Sequence, residues 1–534
     1  MTTSAPETFE RYSEAWKELF HFRQQAAYWQ SLADRRADKI EELEAVNKEL
    51  IARLKNLEAR VYGSSSEKSK PSDNNTSTKP PRKRKRGQRK GSKGHGRKPR
   101  EQLATTDAHH DLEDDDKLCG SCGTPYRPNG HETSHTIDVQ VRVTRKRNLR
   151  QRYQRACECS DAPASKVADG PLLLFPKGLF TTRSWVYFLT EKFLFGRPLN
   201  RVLTQLKAYG LKVSAGTITG GFEKIGPMLL PLYEALIERS QQADHWHADE
   251  TGWRVFGQDD GRGSDRWWLW VFSCKDSVVF YCDPSRSRSV PAAHFGLEYD
   301  PKVAGTKGVA GSSTGVISAD RYLVYRSLDG FVVAFCWAHV RRDFLEVGRG
   351  HSELQEWAQE WVERIGGLYK LNERRLKFEA DTPEGRGAQR ELEKGVEAFA
   401  AEAARQLGEE QLAVAQEKVL ESLCEHWEGL VLFVWNREIP MDNNLSERLV
   451  RCGAMARKVY WGSGSEWSSQ LLCRLLSVQE TAKRWGLNPV RYLEDYLESC
   501  ARNGGEAPED LSRWLPWEQS EEERAELCEA IDSS

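Results

Sequence analysis

HWHADETGWRVFG (245–257), DRWWLWVFSC (265–274) and SVVFYCDP (277–284) are three apolar or alternating runs separated by turn signals, and their reading decides the fold. Three such runs in succession predict an antiparallel meander. A helix-like stretch follows, and then come GVISADRYLVY (315–325) and FVVAFCWAHVRRDFLEVG (331–348), each beginning as a buried strand. Antiparallel strands followed by strand–helix alternation describe a mixed α/β sheet with helices on its faces. Two acids fall at positions where such sheets place chemistry. Asp249 lies within the first strand beside Glu250, and Asp320 ends the apolar run Gly315–Ala319.

Downstream, residues 346–440 are helical in pattern and read as an insertion, after which IPMDNNLSERLVR (439–451) turns into a helix carrying Glu447 and Arg451 four residues apart on one face. Three acids from two strands and a later helix are what a two-metal phosphoryl-transfer site requires, with divalent ions about 3.5–4 Å apart. Hard oxygen ligands suit Mg²⁺ or Mn²⁺ better than zinc. Arg448, Arg451 and Lys458 are candidates to hold phosphates beside them. Each acid also has a plainer reading. Asp249 can end a strand, Asp320 can cap a turn, and Glu447 can complete a capping box begun by Asn444.

Upstream, NRVLTQLKAYGLKVSAGTITGGFEKI (200–225) has helix-turn-helix spacing: Val202, Leu203 and Leu206 before a turn at Gly210, then a helix capped by Ser214 with Ile218, Phe222 and Ile225 inside. Its second helix presents Thr217, Thr219 and Lys224, which could enter a DNA major groove. Two packed helices joined at a glycine also occur without any DNA role. Before it, Cys119 and Cys122 have knuckle spacing, and Cys157 and Cys159 follow after strand-like stretches such as HTIDVQVRVTRKR. A β-hairpin bringing the pairs together would give a tetrahedral thiolate site of the kind structural Zn²⁺ prefers. The second pair is one residue shorter than the usual gap, and His109, His110 and His131 are alternative ligands.

The segment 64–100 is rich in Ser, Pro, Asn and Lys and then intensely basic, with Arg82, Lys83, Arg84, Lys85, Arg86, Arg89 and Lys90 among eleven Lys or Arg in residues 80–100. It reads as a disordered basic linker whose affinity for nucleic acid falls with salt. The chain's start carries a heptad seam, Ile40, Leu43, Asn47, Leu50, Leu54, Leu57 and Val61. An Asn at one a position favours a parallel two-stranded coil, hence a homodimer, against the alternative of a stripe packed on the chain's own body.

At 534 residues and 29% charged, the chain has the composition of a multidomain globular protein. The net charge of -1 hides the basic arm and an acid-rich end, with ten acids and two Arg in residues 506–532. That end is expected to compete with DNA for the arm. No apolar run is long enough to span a membrane and no signal-peptide pattern opens the sequence, so the expectation is a cytoplasmic protein with reduced cysteines and an anionic partner.

The motifs HADETGW (247–253), SADRY (318–322), CWAHVRR (336–342) and DNNLSERLVR (442–451), followed by Arg457, Lys458 and WGS (461–463), resemble the transposase of insertion-sequence family 66. The similarity extends to VYGSSSEKSK (61–70), the basic arm, the cysteine segment and LSVQETAKRWGLNPVRYLEDYL (476–497). It implies an RNase H-like catalytic core with a DDE triad of Asp249, Asp320 and Glu447, and it favours Asp249 over Glu250 as first acid. The implied activity is cutting double-stranded DNA at terminal inverted repeats and joining the freed 3′-hydroxyls to target DNA with the same metal pair. The implied organisation is a coiled coil at 17–63, a linker at 64–100, a zinc module at 101–168, a helical DNA-binding region at 169–240, core segments at 241–345 and 441–500 around an insertion at 346–440, and an acidic tail at 501–534. Accessory proteins encoded by the same element and an association with the nucleoid are part of this expectation. Two rivals share the fold: a DNA-binding regulator without activity, and a hydrolytic nuclease that cuts but never joins. Hydrolysis at the cysteine zinc ranks last among the readings, because four thiolates would close the coordination sphere and leave no position for a substrate.

Overall fold

The computed structural model describes residues 39–56, 107–127 and 137–528, apart from 41–42, 45, 108–109, 138–141, 155, 157–160, 162, 164, 258–264, 304, 310 and 410. The chain divides into two compact units, Ser64–Arg142 and a larger one made of Met1–Gly63 with Val143–Ser534. In the smaller unit, the described part is a short 3-10 turn, Asp114–Lys117, and the turn that holds Cys119 and Cys122.

The larger unit begins with helical residues that become continuous over 46–56, here α1. A small hairpin pairs β1 (Arg152–Gln154) with β2 (Ser165–Val167). Among the described residues of HTIDVQVRVTRKR no strand is assigned, and residues 142–147 are exposed. Four basic side chains in that stretch, Arg142, Arg145, Lys146 and Arg147, leave little apolar surface to hold a ladder.

Four helices follow: α2 (Thr182–Leu189), continued by a π-helical turn at Thr190–Leu194, α3 (Leu199–Ala208), α4 (Ala215–Met228) and α5 (Leu230–Gln241). Then come β3 (His245–Arg254), β4 (Arg266–Ser273), β5 (Val278–Asp283), α6 (Ser289–His294), the short pair β6 (Glu298–Tyr299) and β7 (Thr306–Lys307), β8 (Gly315–Ala319), α7 (Leu323–Arg326), β9 (Phe331–Phe335) and α8 (Trp337–Gly350). Helices α9 (Gln355–Leu376), α10 (Pro383–Leu407), α11 (Val414–Glu425), α12 (Trp427–Leu430) and α13 (Leu432–Trp435) lead into α14 (Asn444–Tyr460), α15 (Glu466–Arg484), α16 (Pro489–Arg502) and α17 (Glu521–Cys528).

The central sheet has the order β5-β4-β3-β8-β9. The expected meander is its antiparallel half, and β8 and β9 join parallel to β3. Gly315 makes that junction possible: at φ +149° it starts β8 where a Cβ would lie 2.1 Å from the Asp244 carbonyl oxygen, which accepts from the Val316 N–H at 2.8 Å.

Side chains alternate across the sheet with period two. Leu269 and Val271 of β4 enter one core with α2–α5, α14, α15 and α16. Trp270 and Phe272, with Trp246 and Ala248 of β3, enter a second core with α8–α11. Gly453 lets α14 lie close on the first face, since a Cβ there would stand 2.4 Å from a Leu269 methyl carbon.

The heptad helix touches the body through its other side. Ala52 is buried against Gly350, and Lys48 pairs with Glu353 at 2.9 Å. The seam residues Ile40, Leu43, Leu50 and Leu54 stay more than half exposed. The acid-rich end is anchored rather than free over its described residues. Trp514, Leu515 and Leu527 are buried, Trp514 Nε1 donates to Asp495 at 2.9 Å, and Leu527 O accepts from Asn488 N at 2.9 Å. Among the described residues no helix is long and apolar enough to cross a membrane.

Candidate functional site

The period-two rule separates the two neighbouring acids of β3. Asp249 shares parity with Trp253, which belongs to the first core, and Glu250 shares parity with Trp246 and Ala248, which belong to the second. Glu250 is fully engaged on its side. Its Oε1 accepts from Arg286 Nε at 3.0 Å and Nη2 at 2.6 Å, and its Oε2 accepts from Tyr325 Oη at 2.8 Å. Burial and the Asp320 charge hold its carboxyl above the usual carboxylate range in spite of these bonds.

Asp249 has the opposite surroundings. Burial, followed by the charges of Glu250 and Asp320 and then by that of Glu447, pushes its carboxyl up to about 8, although its Oδ1 accepts from the Glu250 N–H at 2.8 Å. Like charges gathered around a half-buried acid are stable only when protons or cations neutralise them. Asp320 directly follows β8, where its Oδ1 accepts from Tyr322 N at 3.0 Å, so the turn-capping reading holds for it, and its charge also acts on Asp249. Its partner strand pairs with β3 two to four residues before Asp249, which brings the two strand ends together.

Glu447 arrives in the first turn of α14, and the residue that fixes that turn is Asn443. Buried at 1% exposure, Asn443 donates through Nδ2 to Ala248 O at 2.8 Å, and its Oδ1 meets His247 Nδ1 at 2.9 Å. Burial lowers the His247 pKa to about 4, so a neutral ring donating to Oδ1 fits this contact. The side chain of Asn443 thus ties the start of α14 to the strand residue preceding Asp249. The capping box expected from Asn444 does not form: Asn444 is already helical, and no side chain caps this helix start.

Beside Glu447 stand two further groups. Among the described residues, the Cys336 Sγ, a ring nitrogen of His339 and a carboxylate oxygen of Glu447 all lie within 4.8 Å of one another. Burial pushes the Cys336 thiol up to about 11.

Arg448, Arg451 and Lys458 are exposed along α14. Arg457 instead turns inward and donates to Gly252 O. Thr217 and Lys224 are exposed on α4, whereas Thr219 is half-buried and its Oγ1 donates back to Ala215 O at 3.2 Å. Ser214 caps α4 as expected, accepting from Thr217 N at 3.2 Å. Cys119 and Cys122 share a tight turn in which the Cys119 carbonyl accepts from Cys122 N at 3.3 Å and Gly123 N at 2.7 Å. Cys157, Cys159 and the basic residues Arg82, Lys83, Arg84, Lys85, Arg86, Arg89 and Lys90 lie outside the described residues.

Sequence reasoning missed Asn443, His247, Cys336 and His339. Their signal was present in the quoted motifs as polar residues embedded in apolar runs, but spacing alone assigned them no partner.

Residues 177–471 match the family described as Transposase IS66 family. The chain belongs to that family. The match takes in α2–α14 and the first residues of α15, and with them both β strands that carry the acids and the helical stretch between α8 and α14. Membership implies an enzyme of the nuclease and transposase class that binds DNA. Curated relatives carry no assigned role. "Uncharacterized protein y4jD" of Sinorhizobium fredii is 27% identical over 429 residues, covering 76% of this chain and 79% of that protein. "Uncharacterized protein y4hP" of the same organism is 23% identical over 430 residues, covering 75% and 73%. No solved structure matches the chain.

Proposed function

We propose that this IS66-family chain is a DDE transposase in which Asp249, Asp320 and Glu447 form the catalytic triad on an RNase H-like core. The observation that carries the reading is the contrast at β3: Glu250 is hydrogen-bonded by Arg286 and Tyr325, while burial, and then the charges of Glu250, Asp320 and Glu447, push the Asp249 carboxyl upward. The strand order β5-β4-β3-β8-β9, with three antiparallel strands followed by two parallel to the first, supports the core assignment.

The donor set fits Mg²⁺ or Mn²⁺, because the three carboxylates offer hard oxygen ligands and gain by neutralisation. When bound, a metal pair supplies activation of the attacking oxygen and stabilisation of the leaving oxygen. The chain's own residues hold and orient the rest. Asn443 keeps Glu447 in register with Asp249, and the exposed Arg448, Arg451 and Lys458 on α14 contact DNA phosphates. Water is the first nucleophile, and the freed 3′-hydroxyl is the second.

The other modules serve DNA ends. Exposed Thr217 and Lys224 on α4 contact end DNA, and the basic arm adds salt-sensitive affinity. The tight turn of Cys119 and Cys122 supports a structural Zn²⁺ completed by Cys157 and Cys159. The exposed seam of Leu43, Leu50 and Leu54 supports a parallel homodimer that holds two ends together.

The test is incubation of the full chain with labelled double-stranded DNA bearing the element's own ends, with Mg²⁺ or chelator. Metal-dependent cuts at the end boundaries and joined products are expected. Cutting without joining would reduce the reading to a hydrolytic nuclease, and binding without cutting, even with the proteins encoded beside it, would reduce it to a regulator.

A further inference from the structure

The geometry points to a second metal site beside the triad: Cys336, His339 and Glu447 hold one thiophilic transition-metal ion, Zn²⁺ foremost, with the fourth position open to water. The three side chains come from one junction. Cys336 follows β9 as the N-cap residue of α8, His339 lies in the first turn of α8, and Glu447 lies in the first turn of α14. The two helix starts are locked together, because Trp337 N donates to Met441 O at 2.9 Å and Asn443 N donates to Cys336 Sγ at 3.2 Å.

Their donor atoms already stand at ligand spacing. His339 Nδ1 and Glu447 Oε1 are 3.6 Å apart. Zinc bonds of about 2.0–2.2 Å at a tetrahedral angle place such donors about 3.4 Å apart. The sulfur completes a triangle whose edges are all within 4.8 Å. Binding releases the Sγ proton to solvent as the thiolate takes the ion. Cys336 is buried, but the side chains of His339 and Glu447 are 24% and 23% exposed, which leaves a path of entry.

A thiolate, an imidazole and a carboxylate select zinc-like ions and not magnesium. Occupancy therefore draws Glu447 away from the hard-ligand cluster at Asp249, and trace Zn²⁺ becomes an inhibitor that Mg²⁺ does not displace. That consequence rests on Glu447 being the third acid of the triad; the site itself does not.

Co²⁺ titration of the full chain separates the two. In a Cys119→Ser/Cys122→Ser background, which removes the other predicted thiolate site, one Co²⁺ per chain is expected. It should show a thiolate charge-transfer band and the visible bands of a tetrahedral ion, both persisting in excess Mg²⁺. Cys336→Ser should abolish the charge-transfer band, and His339→Gln and Glu447→Gln should each weaken Co²⁺ binding at least about tenfold while circular dichroism stays that of the parent. A parent without the charge-transfer band, or one that keeps it in Cys336→Ser, would overturn the proposal. Neither result depends on DNA cleavage, so the triad reading stands or falls separately.

Discussion

On the α14 face of the central sheet, Asp249 is withdrawn from water and sits in the field of Glu250, Asp320 and Glu447, and its carboxyl is pushed up to about 8. One residue along the same strand, on the α8 face, Glu250 is held by Arg286 and Tyr325. Both carboxylates are largely withdrawn from water, and both belong to the same strand. The difference lies in their partners: Arg286 and Tyr325 hydrogen-bond Glu250, although burial and the Asp320 charge still raise its carboxyl, whereas burial and the charges of Glu250, Asp320 and Glu447 leave Asp249 favouring a proton or a metal. A strand with period two can therefore set two acids in different surroundings side by side, and the proposed function takes Asp249 as the one that chemistry would use.

That contrast breaks first at activity. Asp249→Asn, Asp320→Asn or Glu447→Gln should each lower metal-dependent DNA cleavage by at least about a hundredfold, the order expected for one preorganised electrostatic group. Glu250→Gln should keep cleavage within a few-fold. Equal losses at 249 and 250 in the same assay would erase the distinction.

Next comes the tie between β3 and α14. Asn443→Ala removes the bond to Ala248 O and the contact with His247, and the resulting displacement of Glu447 should slow cleavage roughly tenfold or more. Unchanged rates would show that α14 is positioned without it.

Stability should respond in the opposite order from activity. Glu250→Ala leaves Tyr325 Oη and Arg286 without their acceptor. The expected cost is about 2 kcal/mol, below the value for a fully buried pair because the Arg286 side chain is 40% exposed, and thermal denaturation should register it as a few degrees in Tm. Asp249→Asn relieves repulsion and should leave Tm equal or higher when divalent metal is absent.

The contrast also predicts a slope with pH. The folded-state pKa of Asp249, about 8, is above the usual 3.8, so between those values the folded chain binds more protons than the unfolded one. In chelator, this group should therefore make stability fall as pH rises from about 4 to about 8. Denaturation midpoints across that range should show a shallower fall in Asp249→Asn, and a parallel fall in both proteins would contradict the electrostatic account.

Much of this was legible in the sequence because its signals are local. The alternation in DRWWLWVFSC and SVVFYCDP and the unbroken run of GVISA specify strands by period and apolar content, and the structure forms all three. The helix-turn-helix cap at Ser214 was equally visible, since a cap needs only its own next turn. What could not be read were pairings between distant segments. Asn443 meets β3 across 195 residues of chain, and Cys336 meets Asn443 across 107. The choice between Asp249 and Glu250 depended on Arg286 and Tyr325, which no spacing rule connects to either acid. In the described residues of HTIDVQVRVTRKR no strand is assigned: alternation was present in the sequence, but a strand also needs a partner edge, which alternation does not specify.

The central claim is that divalent metal is held at Asp249 together with Asp320 and Glu447. Fe²⁺ substituted for Mg²⁺ and driven to generate hydroxyl radicals cuts the polypeptide next to the bound ion, and the fragments can be mapped by mass. The account predicts cuts near residues 249, 320 and 447 that are suppressed by Mg²⁺ and by Asp249→Asn. Cuts confined to the neighbourhood of Glu250 and Arg286, or a pattern that neither Mg²⁺ nor Asp249→Asn alters, would contradict it.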